Sequence, residues 1–322
     1  MAVYTKVSDQ DAEEFLQAYD LGALRELAPI SQGVENSNYF LTTGQGRFVL
    51  TLYEKRVQEE DLPFFLALME HLATKGIPAP LPVKNTAGQF LGRLCGRPAA
   101  ITTFLTGSAP TRITADECAE VGHALARMHL AASDFGRKRE NNLGLSGWEK
   151  LVAFTKGRAD EIYYGLGKLL QKEIDYLAKH WPKNLPSGVV HTDLFPDNVF
   201  LENGKLCGVI DFYFACNDFF AYDLAVCLNA WCFETNHTSF NITKARALLK
   251  GYQEVRPLTK DEIAALPVLA RGSALRFLLT RLYDWLNQQA DALVRPKDPL
   301  DYLARLQFHR AVENVSAYGL DG

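Results

Sequence analysis

No Cys-x-x-Cys pair occurs among the six cysteines (Cys95, Cys118, Cys207, Cys216, Cys227 and Cys232) of this 322-residue chain. Thiols scattered this way in a chain of this length read as reduced, mostly buried residues of a cytoplasmic protein. They suggest neither a disulfide frame nor a zinc site. A basic excess is missing too: 34 lysines and arginines face 38 aspartates and glutamates, a formal charge of -4 with a pI near 6.0. That balance gives no electrostatic case for nucleic acid or a membrane surface as partner. No stretch approaches the roughly 20 apolar residues that span a bilayer, and Met1 to Gln10 holds no apolar leader core. Internal repeats and low-complexity segments are absent. At 48% hydrophobic residues, the chain can bury a sizeable core and is expected to form two lobes.

One short run carries chemistry: His191-Thr-Asp193-Leu-Phe-Pro-Asp-Asn198, followed by Val209-Ile210-Asp211-Phe212. Phosphoryl transfer from ATP needs few protein groups, namely a carboxylate facing the acceptor hydroxyl and oxygen ligands for Mg²⁺. Asp193 and Asn198 have the spacing of the kinase loop H-R-D-L-x-x-x-N, and Asp211-Phe212 stands where D-F-G follows. Between them, Val199–Leu201 and Leu206–Ile210 are apolar runs around Glu202-Asn203-Gly204-Lys205, a strong hairpin signal. A hairpin returns the chain to its origin, so Asn198 and Asp211 are expected at one end as metal ligands. Each residue alone could be a turn former or a cap. The ordered set, with the hairpin inside it, points to an ATP-dependent small-molecule kinase.

The rest of the chain supplies a frame. Ser8–Leu27 reads as a helix, Leu27–Ile30, Tyr39–Thr42 and Arg47–Tyr53 as strands, and Gln58–Thr74 as a helix. Strands follow at Phe90–Leu94 and Pro98–Phe104. The polar loop Ser31–Asn38 lies where a kinase lays backbone N–H groups over phosphates, making Gln32, Gly33 and Ser37 candidate nucleotide contacts; it holds one glycine, not G-x-G-x-x-G. Thr114-Ala-Asp-Glu117 is a capping box opening a helix to about His129. Helices are expected at Trp148–Gly157, Ala159–His180, Tyr222–Phe233, Ile242–Gln253, Lys260–Ala270, Ser273–Gln289 and Pro299–Ala317. The expected class is α+β: an antiparallel-sheet lobe over residues 1–105 and a larger, mainly helical lobe with the catalytic hairpin over 106–322.

The chain resembles the aminoglycoside phosphotransferase and choline kinase superfamily of protein-kinase-like folds, whose loop reads H-x-D-x-x-x-x-N and whose metal carboxylate sits in I-D-F or I-D-W. Within it, the chain is most similar to the branch that phosphorylates homoserine. The segments carrying the likeness are Ser31–Tyr39, Arg47–Lys55, Val190–Asn198, Ile210–Asp218 and Leu275–Trp285. The resemblance implies MgATP as donor and L-homoserine as acceptor, giving O-phospho-L-homoserine for threonine synthesis. It implies that Asp193 orients or deprotonates the hydroxyl, that Asn198 and Asp211 hold Mg²⁺, and that Tyr213 faces the acceptor. His191 would hold the catalytic loop, and Asp223 would brace it or serve as first-turn dipole partner of its helix. One departure stands out: Thr51 falls at the place of the usual strand-3 lysine, so that either Lys55 or Arg56 just downstream supplies the cation, Lys55 being the candidate, or the strand register is shifted.

A small amino acid needs a cation for its carboxylate and an anion for its ammonium. Ala274–Leu286 is apolar nearly all round and therefore reads as buried, yet carries Arg276, Arg281 and Asp284. Buried charges need partners. They form either a substrate clamp, with Asp284 or Asp218 near the ammonium, or an internal pair between Arg281 and Asp284 at i, i+3. Alternatives to homoserine are an aminoglycoside, choline or a thioribose, or a nucleotide-binding regulator without turnover. Oligomeric state is not legible.

Overall fold

The computed structural model describes residues 4–31, 36–54, 57–155, 157–235, 238–288 and 296–320. The chain divides into two compact units, Met1–Gly107 with Cys207–Tyr213, and Ser108–Leu206 with Phe214–Gly322.

The first unit holds α1 (Asp9–Leu16), β1 (Leu24–Pro29), β2 (Ser37–Thr43), β3 (Gly46–Leu52), α2 (Leu62–Thr74), β4 (Gly92–Leu94) and β5 (Arg97–Thr103). Its five strands form one antiparallel sheet in the order β1-β2-β3-β5-β4. A Ser8–Asp11 capping box starts α1. The helix stops at Leu16, eleven residues short of the expected Leu27, because Leu24–Pro29 pairs with β2. Tertiary pairing outweighs a helical period here. Phe15, Leu16 and Tyr19 are nonetheless buried, packed with Leu41, Leu50, Leu52 and Ile101 on one face of the sheet. α2 buries Phe65, Leu66 and Leu72 and carries proline in its first turn, where a missing N–H costs nothing.

The second unit begins with α3 (Ala115–Ala131), whose Thr114–Glu117 capping box forms as expected. Then come α4 (Leu145–Thr155), α5 (Ala159–Ile162) and α6 (Leu166–His180); the single helix expected over 159–180 is broken at Tyr163–Gly165. β6 (Ser187–Val190) leads into the loop His191–Asn198, which ends in β7 (Val199–Glu202). Asn203 (φ 52°) and Gly204 (φ 74°) then turn the chain into β8 (Lys205–Val209), with the positive φ pair that a two-residue hairpin requires. β8 carries the chain into the first unit, where the Val209 N–H donates to the Pro78 carbonyl at 2.8 Å. β9 (Cys216–Phe219) pairs antiparallel with β6, joining Val190 to Cys216.

α7 (Phe220–Trp231), α8 (Ile242–Val255), α9 (Lys260–Leu286) and α10 (Leu300–Ala311) complete the second unit. α3 and α8 approach through two glycines: a Cβ on Gly122 would lie 2.2 Å from the Leu248 carbonyl oxygen, and one on Gly251 2.3 Å from that of Ala119. α9 runs unbroken for 27 residues through Pro267 and Gly272, where the sequence predicts two helices. Gly272 is a packing residue and not a break, for its added Cβ would meet the Trp181 ring at 2.3 Å. Leu275, Leu278, Leu279 and Leu282 of α9 are buried. By length and composition α9 could cross a membrane, although charged residues interrupt its apolar run; it packs against α4, α7 and α10. Tyr283 and Trp285 are 39% and 40% exposed, so the expectation of burial all round fails over its last turn. Four of the six cysteines are buried, and Cys95 is exposed.

Candidate active site

The loop His191–Asn198 is suspended from buried side chains of the second unit. Asp223, fully buried in the first turn of α7, accepts the N–H groups of His191 and Thr192, each at 2.7 Å. His129 at the end of α3 donates from Nε2 to the same carboxylate at 2.9 Å, with its Nδ1 2.8 Å from the Tyr252 hydroxyl. Burial alone would raise the Asp223 pKa, but the His129 hydrogen bond and the nearby imidazoles outweigh it and hold the group below the ordinary carboxylate value. His191, itself buried, accepts the Asp193 N–H at Nδ1, 3.2 Å away.

Thr192 lies at φ 60°, a left-handed conformation that is an outlier for a β-branched residue. Strain of this kind is of order 1–3 kcal/mol and persists only where the surroundings over-determine it. Here they do. Beyond its N–H bond to Asp223, Thr192 donates its hydroxyl to the Phe214 carbonyl at 3.0 Å. Its own carbonyl accepts from Arg276 Nη1 at 2.7 Å. One residue past Asp193, the Leu194 carbonyl accepts the Trp231 indole N–H, also at 2.7 Å.

Asp193 is half-buried. Asn198 Nδ2 donates to its carbonyl at 2.8 Å and to its Oδ2 at 3.2 Å. The amide thus fixes the carboxylate and keeps its own Oδ1 as an oxygen donor for a hard cation. Within the first unit, Asp211 follows β8 at φ 64°, a conformation aspartate tolerates better than most residues. Tyr213 lies between Tyr53 and Phe65 in edge-on ring contacts, its hydroxyl 3.1 Å from that of Tyr53. Burial pushes its pKa well above the ordinary phenol value.

Thr51 is confirmed on β3, paired with Asn38 and Ala100, and its hydroxyl donates to Asn38 Oδ1 at 2.8 Å. Ser37 accepts the N–H groups of Tyr4 and Thr5 and donates to Glu54 Oε1 at 2.8 Å; its side chain ties the N-terminal segment to the sheet. Gln32, Gly33 and Lys55 lie outside the described residues.

Asp218 on β9 accepts from Asn141 Nδ2 at 2.6 Å and from the Phe219 N–H at 2.7 Å. Burial raises its pKa in spite of both bonds. Arg276, 1% exposed, makes no ion pair among the described residues, and Asp193 is among its electrostatic neighbours. Arg281 pairs with Asp301 Oδ2 at 3.1 Å, donates to the Asp298 carbonyl at 3.0 Å and stacks over Tyr302. Asp284 is half-buried. His129, Thr192 and Trp231 give no signal in the sequence: each is a single residue on an apolar helix or loop, and only the fold brings it to the catalytic loop. Asn141 likewise gives none.

Residues 26–258 match the phosphotransferase enzyme family. Relatives along the whole chain include the homoserine kinase of Xanthobacter autotrophicus, 56% identical over 320 residues and covering 99% of both chains. That of Agrobacterium fabrum is 56% identical over 322 residues, covering 100% of both. Among solved structures, an amicoumacin kinase in complex with AMP-PNP, Ca²⁺ and Ami superposes with a TM-score of 0.70 at 15% identity, covering 95% of this chain and 92% of that one. A spectinomycin phosphotransferase in complex with ADP and spectinomycin gives 0.68 at 13% identity, covering 98% of each. At such identities the solved structures speak for the fold alone, which is protein-kinase-like and of the α+β class. On its loop motif, its fold and these relatives, the chain belongs to the phosphotransferase enzyme family, in the same family as the homoserine kinases, and is a kinase with an alcohol acceptor.

Proposed function

We propose that this chain transfers the γ-phosphoryl group of ATP to the side-chain hydroxyl of L-homoserine, giving O-phospho-L-homoserine and ADP for threonine synthesis. The observation that carries the reading is the likeness along the whole chain to homoserine kinases, 56% identical with 99–100% coverage. In the step itself, the hydroxyl oxygen bonds to the γ-phosphorus, the bond from that phosphorus to the β–γ bridging oxygen breaks, and the hydroxyl proton passes to Asp193. Asn198 orients that carboxylate through Oδ2. In a loose transition state such orientation contributes more than proton abstraction. The oxygen donors of Asn198 and Asp211 suit Mg²⁺, which when bound would neutralise charge on the phosphates.

For the acceptor, Arg281 is the favoured partner of the carboxylate. It and Asp193 are both electrostatic neighbours of Tyr302, and its side chain is 13% exposed. Asp218 and Asp284 are the candidate partners of the ammonium; Asp218, whose burial disfavours its charged form, gains most from a cation beside it. Tyr213 is the candidate acceptor-facing group at the place of the D-F-G glycine. Gln32, Gly33, Ser37 and Lys55 are assigned to the nucleotide on their sequence positions.

The test is Mg²⁺-dependent ADP release with L-homoserine, D-homoserine, L-serine, L-threonine, choline and kanamycin. Selective turnover of L-homoserine is expected. Turnover confined to another acceptor would overturn the choice of substrate, and no turnover beside tight MgATP binding would favour a regulator.

A further inference from the structure

We propose that Arg276 is a positioning residue for Asp193, acting by holding the Thr192 carbonyl and so keeping Thr192 in its left-handed conformation, with Trp231 as its counterpart on the other side of Asp193. The inference rests on the reading of Asp193 as the carboxylate that meets the acceptor hydroxyl.

The two peptide carbonyls flanking Asp193 are each gripped by a side-chain N–H from a fully buried residue. Arg276 Nη1 reaches Thr192 O at 2.7 Å, and Trp231 Nε1 reaches Leu194 O at 2.7 Å. The donors sit on different long helices, α9 and α7, which pack against each other. The loop is thus referenced to the core of the unit as well as to its own turns. Arg276 is itself fixed: its guanidinium lies 4.8 Å from the centre of the Phe277 ring and 5.7 Å from that of Phe214. Phe214 also accepts the Thr192 hydroxyl through its carbonyl. A guanidinium brought into the core without an ion pair is expensive to bury. Beside its interactions with Tyr222 and Asp193, its bond to the Thr192 carbonyl places it at the residue before the catalytic carboxylate.

A role at the loop and a contact with substrate differ in the kinetic constant they move. An arginine that clamps the acceptor carboxylate raises KM when lost. One that aims Asp193 lowers kcat, since small displacements of a catalytic group cost on the order of a hundredfold. Threonine supplies a second lever. Glycine adopts φ near 60° without penalty, so a Thr192→Gly chain needs the Arg276 bond less.

The experiment is a double-mutant cycle of Arg276→Met and Thr192→Gly, measuring kcat and the KM for L-homoserine by ADP release. Arg276→Met should lower kcat on the order of thirtyfold or more with KM changed less than about twofold. In the Thr192→Gly background the same substitution should lower kcat by less than about fivefold. Trp231→Phe, which keeps an aromatic ring and removes the N–H, is the milder variant should Arg276→Met fail to fold. It should lower kcat about tenfold at unchanged KM. A raised KM with unchanged kcat, or strictly multiplicative effects in the cycle, would overturn the proposal. An Asp193→Ala chain as active as the wild type would instead remove the reading of Asp193, a separate and recognisable outcome.

Discussion

Asp223 and His129 meet at 2.9 Å with neither side chain exposed to solvent. The same carboxylate carries the N–H groups of His191 and Thr192. Removing it in Asp223→Ala leaves three buried donors without an acceptor, and breaking a buried pair from one side costs about 3–5 kcal/mol. His129→Gln disturbs two hydrogen bonds, to Asp223 and to the Tyr252 hydroxyl, but leaves an amide that can replace one of them, and should cost about 1–2 kcal/mol. The order of urea midpoints is therefore wild type, then His129→Gln, then Asp223→Ala. A His129 variant as unstable as the Asp223 variant would mean that the loop N–H bonds contribute little.

Asp193→Ala and Asp211→Ala should each lower kcat on the order of a thousandfold or more, with the fold retained by circular dichroism. Asn198→Ala should act on both sides of the proposed chemistry, because its amide nitrogen holds Asp193 Oδ2 while its amide oxygen is the donor offered to a cation. Its loss should be as large as either aspartate's and less reversible by added Mg²⁺. Activity near wild type in any of the three would remove that residue from the assignment.

How much of this is legible in the sequence follows from what each feature depends on. The loop, the hairpin and the capping box at Thr114 rest on residues within a few positions of one another, and the structure forms each of them. Thr51 lies on β3 as expected, where pairing with β2 and β5 fixes the register. The end of α1 is not legible because only the presence of β2 makes Leu24–Pro29 a strand. Gly272 reads as a break because only Trp181 and Trp148 explain why a side chain is excluded there. Arg281 finds Asp301 across 20 residues of sequence, while the i, i+3 rule points to Asp284. Trp231 reaches the loop from 37 residues away, and His129 braces it only through Asp223, 94 residues along the chain; a sequence without its fold gives no reason to connect them.

The α3–α8 contact offers a test of packing apart from chemistry. Gly251→Ala gains about 1 kcal/mol in helix propensity. It also drives a methyl group to 2.3 Å from the Ala119 carbonyl oxygen, which neither backbone can accommodate without separating the helices. Overpacking of this kind costs about 1–3 kcal/mol or more. The expected net result is a lower urea midpoint with unchanged KM for both substrates. A stabilised Gly251→Ala chain would show that the two helices can move apart at no cost.

Stability should also respond to pH through His309. The imidazole is 2% exposed, with Nδ1 2.8 Å from the Tyr318 hydroxyl and Nε2 3.1 Å from Asn229 Oδ1. Burial, helped by the positive charge of Arg305, lowers its pKa from 6.5 to about 3. The folded chain therefore keeps His309 neutral where the unfolded chain takes up a proton. Its stabilising contribution is complete above pH 6.5 and falls away as pH drops from 6.5 toward 3, by about 1.4 kcal/mol per pH unit. Asp223 adds to the loss only below the ordinary carboxylate value, because its own pKa is lowered. Between pH 6.5 and 5.0 the His309 share is about 2 kcal/mol. His309→Gln removes the titrating group while keeping an amide that can face Tyr318 and Asn229. Urea unfolding of both chains at pH 7.5 and 5.0 should show the wild type losing about 2 kcal/mol more than the variant. Equal losses would mean that the site admits a proton in the folded state.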